Sequence, residues 1–105
     1  MKKADEYLRC RVVSTAHLTS LDNELLDEIS SRRDEWGPGE WIHYIGFGYI
    51  IRLTASSSPV LRLKAEGLSK GVRRLIISLM KHDAVELLIF ESGAPQVDGF
   101  EVNDW

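Results

Sequence analysis

Trp41-Ile42-His43-Tyr44-Ile45-Gly46-Phe47-Gly48-Tyr49-Ile50-Ile51-Arg52-Leu53-Thr54 is the stretch that decides the fold. Aromatic and β-branched side chains dominate it, and these pack best on a pleated surface. Gly46 and Gly48 would each cost a helix about 1 kcal/mol relative to Ala. The reading is therefore two strands meeting in a turn near Gly46-Phe47-Gly48.

Upstream, Arg11-Val12-Val13-Ser14-Thr15 reads as a short first strand. Leu18-Thr19-Ser20-Leu21-Asp22 then opens a helix, with Thr19 or Ser20 as cap and Asp22, Glu24, Asp27 and Glu28 toward its positive end. Leu21, Leu25, Leu26 and Ile29 recur at helical spacing. Trp36-Gly37-Pro38-Gly39 cannot continue a helix, which should stop near Arg33. Downstream, Ala55-Ser56-Ser57-Ser58-Pro59 is a loop, and the alternation in Val60-Leu61-Arg62-Leu63-Lys64 suggests a further short strand.

Ser69 is placed to cap a second helix. Its apolar stripe is Val72, Leu75, Ile76, Leu79 and Met80, with Lys70, Arg73, Arg74 and Lys81 on the other face. Val85 to Phe90 is the most apolar strand and is expected at the centre of the sheet, covered on both faces. Val97-Asp98-Gly99-Phe100 signals a tight turn, after which Phe100 to Val102 would return as an edge strand. The expected order is β-α-β-β-(β)-α-β-(β). That makes one α/β (α+β) domain over residues 1–105, a two-layer sandwich in which two amphipathic helices pack on a mixed sheet of four to six strands.

Composition narrows the function classes. The chain has 105 residues, 44% of them hydrophobic and 28% charged, which is ordinary for one globular domain. No apolar run approaches the roughly 20 residues of a membrane span, and Ala4-Asp5-Glu6-Tyr7 interrupts any signal peptide, so a cytoplasmic protein is expected. Cys10 is the single cysteine, which rules out an internal disulfide framework. The net charge of −3 is uneven: residues 46–84 carry +5 between acidic ends. A basic middle of this kind either lies on a solvated face or meets an anionic partner.

Motifs with chemistry are scarce. His17, His43 and His82 have no partner at metal-ligand spacing, Gly46-Phe47-Gly48 lacks the third glycine of a dinucleotide loop, and no cofactor is expected. Ser14, Thr15 and His17 crowd the end of the first strand, where sites of α/β proteins collect, and Asp22 or Glu91 is available to orient the histidine. Strand alternation and the lack of nucleophile-elbow glycines argue against a catalytic centre there. Arg9 and Arg11 flank Cys10, a setting that activates thiols when the residue is not merely a packing group. Trp36, Trp41, Tyr44, Phe47 and Tyr49 cannot all face inward, so one or two should form an exposed patch.

Two segments carry a family likeness. One is Val12-Val13-Ser14-Thr15-Ala16-His17-Leu18-Thr19. The other is Leu87-Leu88-Ile89-Phe90-Glu91 running into Pro95-Gln96-Val97-Asp98-Gly99-Phe100 and closing on Asp104-Trp105. Together they resemble a family of small uncharacterised bacterial proteins found largely on phages, plasmids and other mobile elements. The likeness implies an accessory protein rather than a housekeeping enzyme, one that binds a host or defence protein. The family pattern carries Asp where this chain has Glu91, so no role passes to Glu91, and no catalytic residue is implied.

The expected function is thus non-enzymatic protein binding through Lys70, Arg73, Arg74 and Lys81, with Trp41 and Tyr49 as aromatic anchors. The alternatives are a small enzyme built on Ser14, Thr15, His17 and Glu91, or a nucleic-acid binder using the basic helix. A homodimer is also open, through the C-terminal edge strand or the aromatic hairpin.

Overall fold

The computed structural model describes residues 7–31 and 41–104. Four strands form one mixed sheet: β1 (Cys10–Ser14), β2 (Ile42–Tyr44), β3 (Gly48–Arg52) and β4 (Leu87–Glu91), in the order β1-β4-β3-β2. β1 runs parallel to β4, and the other pairs are antiparallel. Three helices complete the fold: α1 (Ser20–Ser30), α2 (Pro59–Glu66) and α3 (Lys70–Asp83).

The aromatic stretch folds as the hairpin β2–β3, turning at Gly46, whose φ of +95° glycine adopts without strain. Gly48 is required for a different reason. A Cβ there would lie 1.6 Å from the carbonyl oxygen of Phe90, so only glycine lets β3 approach β4.

Register sorts the sheet into two faces. Val13, Phe90 and Tyr49 share one row and Leu88, Ile51 and Ile42 the next, all buried beneath Leu26, Ile29, Leu63, Val72, Leu75, Ile76 and Leu79 of the helices. Val12, Ile89, Ile50 and His43 form a row on the opposite face and keep partial exposure. β4 is central as expected, but its burial alternates: Leu88 and Phe90 are fully enclosed, while Leu87, Ile89 and Glu91 are half-buried. The result is the expected two-layer α+β sandwich, with the core between one sheet face and the helices.

Two expected strands are absent. Val60–Lys64 lies inside α2, which starts on Pro59 at its first turn and closes at Gly67 with φ +107°. There the Leu68 N–H donates to the Leu63 carbonyl and the Gly67 N–H to the Lys64 carbonyl. Five alternating residues fit a strand, but Val60 and Leu63 also fit one helix face, and the flanking Pro and Gly decide for helix. The other missing strand, Phe100–Val102, is irregular tail that pairs with no strand. α1 ends at Ser30, ahead of the expected stop, while Trp36 and Gly37-Pro38-Gly39 lie outside the described residues.

A candidate binding cleft at the end of the parallel strands

Parallel strands leave a crevice beyond their C-terminal ends. Here β1 delivers Ser14 and β4 delivers Glu91 side by side, and the chain leaves β1 through a 3₁₀ turn, Thr15–His17. The Ser14 side chain accepts from the Ala16 N–H at 3.0 Å, which starts that turn. Thr19 then caps α1 in a reciprocal box: its Oγ1 accepts from the Asp22 N–H and the Asp22 Oδ2 accepts from the Thr19 N–H, each at 3.0 Å.

Asp22 does more than cap. Buried to 2% exposure, it also accepts from the Ser69 N–H (2.9 Å) and the Ser69 hydroxyl (2.7 Å). One carboxylate therefore takes three donors at the adjoining N-termini of α1 and α3, where helix dipoles favour negative charge. Ser69 sits at the N-cap of α3 as expected, but its hydroxyl is spent on Asp22.

His17 is 3% exposed, and both ring nitrogens are committed to the C-terminal tail. Nε2 accepts from the Val97 N–H at 2.9 Å, so the proton resides on Nδ1, which donates to the Glu101 carbonyl at 2.8 Å. Asn103 closes the strap, its N–H donating to the Ala16 carbonyl at 2.7 Å and its side-chain amide to the same carbonyl at 3.2 Å.

The strapped tail forms one wall of a cleft of about 630 Å³. Ser14, Thr15 and Ala16 form its floor, Glu24 and Asp27 of α1 one flank, the hairpin tip from Tyr44 to Tyr49 another, and Asn103 and Asp104 the last. Among the described residues three carboxylates line it and no basic side chain does. Among the described residues no three His, Cys, Asp or Glu side chains converge on a metal position, so these carboxylates are spread along the cleft. Tyr44 and Phe47 are exposed, Phe47 at 62%. The Tyr44 and Tyr49 rings lie 5.7 Å apart at 54°, a tilted aromatic pair. Burial raises the Tyr49 phenol above its ordinary range, and the Asp27 charge adds to that; its hydroxyl donates to the Asn23 carbonyl at 3.1 Å.

The structure divides the residues singled out in the sequence. Ser14 and Thr15 line the cleft, whereas His17 lies beneath the tail with no nitrogen left for proton transfer, and Glu91 is outside the lining. Trp41 and Tyr49 do not serve as exposed anchors. Trp41 is 1% exposed with the Arg62 guanidinium 4.4 Å above its ring, and its indole N–H has no partner among the described residues; Tyr49 is 3% exposed. The exposed patch falls on Tyr44 and Phe47 instead. Arg73 is turned inward, its Nε donating to the Leu68 carbonyl at 3.1 Å, while Lys70, Arg74 and Lys81 stay on the surface. Cys10 is exposed and free, but Arg9 and Arg11 both turn to Asp83, at 2.9 and 3.1 Å.

Glu24, Asp27, Asn103 and Asp104 were not legible as a site, because they come from a helix and a tail eighty residues apart in the chain. No described helix is long and apolar enough to cross a membrane. Neither a curated protein nor a solved structure gives a match to the chain. Residues 10–105 match the family model described as the C-terminal domain of a family of unknown function, DUF5983, and the chain belongs to that family.

Proposed function

We propose that this chain is a non-enzymatic binding protein whose cleft receives a lysine or arginine side chain of a partner protein. The observation that carries the reading is the lining itself: Glu24, Asp27 and Asp104 with the exposed rings of Tyr44 and Phe47, and no opposing cation among the described residues. Carboxylates attract the charge, and aromatic faces accept the alkyl stem or guanidinium plane of such a side chain. Ser14 and Thr15 add hydroxyls at the floor. With His17 engaged at both nitrogens, the histidine does not serve those hydroxyls as a base, which favours binding over hydrolysis.

The family likeness extends the reading to an accessory protein of a phage or other mobile element, acting on a host or defence complex through protein–protein contact. The test is a panel of peptides carrying Lys or Arg, each paired with the same peptide bearing norleucine or citrulline, titrated calorimetrically. The charged member should bind at least about tenfold more tightly, equivalent to about 1.4 kcal/mol. Glu24→Gln with Asp27→Asn should erase that preference. Equal binding of charged and neutral peptides, or an unchanged preference in the double variant, would reject the proposal.

A further inference from the structure

The α3 surface carries an unused counterpart to this cleft. Lys70, Arg74, Ile77 and Lys81 stand at i, i+4, i+7 and i+11, one face of the helix, and all four are exposed, Ile77 at 47%. The stripe runs roughly 16 Å at 1.5 Å per residue. Among the described residues Lys70, Arg74 and Lys81 make no ion pair. On α1, Leu21, at 73% exposure, stands three residues before Glu24 and six before Asp27, and neither carboxylate has an ion-pair partner among the described residues. Each helix therefore presents one bare aliphatic side chain among charges of a single sign, and the two signs are opposite.

We infer that the partner surface is available on a second copy of this chain: the α3 stripe of one copy seats against the acidic α1 flank and cleft of the other. The inference rests on the cleft being a receptor for basic side chains and names the side chains it receives. Pairing would cancel like-charge crowding on both surfaces and cover Ile77 and Leu21 together. A nucleic-acid backbone would neutralise α3 but offers Ile77 no apolar cover, and it would be repelled by the acidic α1 flank. Two copies that exchange the contact reciprocally close into a dimer, and a one-way contact extends into a chain, so the test reads the contact rather than the size.

Sedimentation of the full chain across salt concentrations is the experiment. Association should be present at low salt and weaken as salt rises. Arg74→Glu with Lys81→Glu, and separately Glu24→Lys with Asp27→Lys, should each weaken self-association at least tenfold while circular dichroism shows the fold intact. Mixing these two variants should restore association as a mixed pair, because each supplies the face the other has lost. The milder Arg74→Gln and Glu24→Gln serve if a reversal unfolds. A wild-type chain monomeric at low salt, variants that associate like wild type, or no recovery on mixing would overturn the inference. A monomer that still binds basic peptides leaves the function proposed for the cleft standing; loss of both removes the two together.

Discussion

Tyr49 shows how one side chain reports on the cleft. Its phenol is buried, lies near Asp27 and donates to the Asn23 carbonyl, so ionisation is opposed first by desolvation and then by negative charge. Its folded-state value is raised, so its contribution to stability is whole below the unfolded value of about 10 and is lost as pH climbs through the folded value. Absorbance titration at 295 nm should show a tyrosine that ionises late, and Tyr49→Phe should remove that step. Asp27→Asn should bring the step down only partway, because burial remains. A titration in which every tyrosine ionises near pH 10 would contradict the packing described.

At the scale of elements, the helices are joined by a buried carboxylate as well as by apolar contact. Asp22 belongs to α1, yet two of its four hydrogen bonds go to Ser69 at the start of α3. Replacing it with Ala leaves the Thr19 and Ser69 N–H groups and the Ser69 hydroxyl without their acceptor, at a cost of about 3 kcal/mol. Thr19→Ala removes only the cap and should cost about 1 kcal/mol. Urea denaturation measures both. Equal losses for the two variants would mean that the α1–α3 link contributes little. A cap at Thr19 or Ser20 was readable from Thr19-Ser20-Leu21-Asp22, since caps are local, and the structure selects Thr19. The Ser69 contact was not, since it spans 47 residues and exists only once α2 and α3 are packed. The same limit explains Val60–Lys64, where five residues fit either period and neighbouring Pro59 and Gly67 settled the matter.

For the whole molecule, the C-terminal tail is the part that builds the site without belonging to the sheet or helices. Residues 95–104 are held on the turn after β1 by Ser14, Ala16 and His17. Truncation after Phe100 removes the Glu101 and Asn103 hydrogen bonds, leaving the His17 Nδ1–H unpaired, and should lower stability by about 2–4 kcal/mol at roughly 1 kcal/mol for each net bond. Far-UV circular dichroism should hardly change, because no helix or strand is lost. The cleft loses the wall bearing Asp104, so affinity for basic peptides should fall as well. Retained affinity in the truncated chain would place the binding surface elsewhere.

By itself the sequence determined what depends on near neighbours. The glycine-punctuated aromatic stretch forced a hairpin, the leucine spacing forced α1, and the Val72-to-Met80 stripe set the buried side of α3. Local sterics, hydrogen-bonding partners within a few residues and apolar periodicity are all written in contiguous chain. Tertiary structure alone decided which side chains meet. It buried Trp41 and Tyr49, exposed Tyr44 and Phe47, turned Arg73 inward, and converted His17 from a candidate base into the clasp of the tail. A side chain's chemistry is fixed by its covalent structure, but its availability is fixed by what packs over it, and here that cover arrives from as far as 84 residues away.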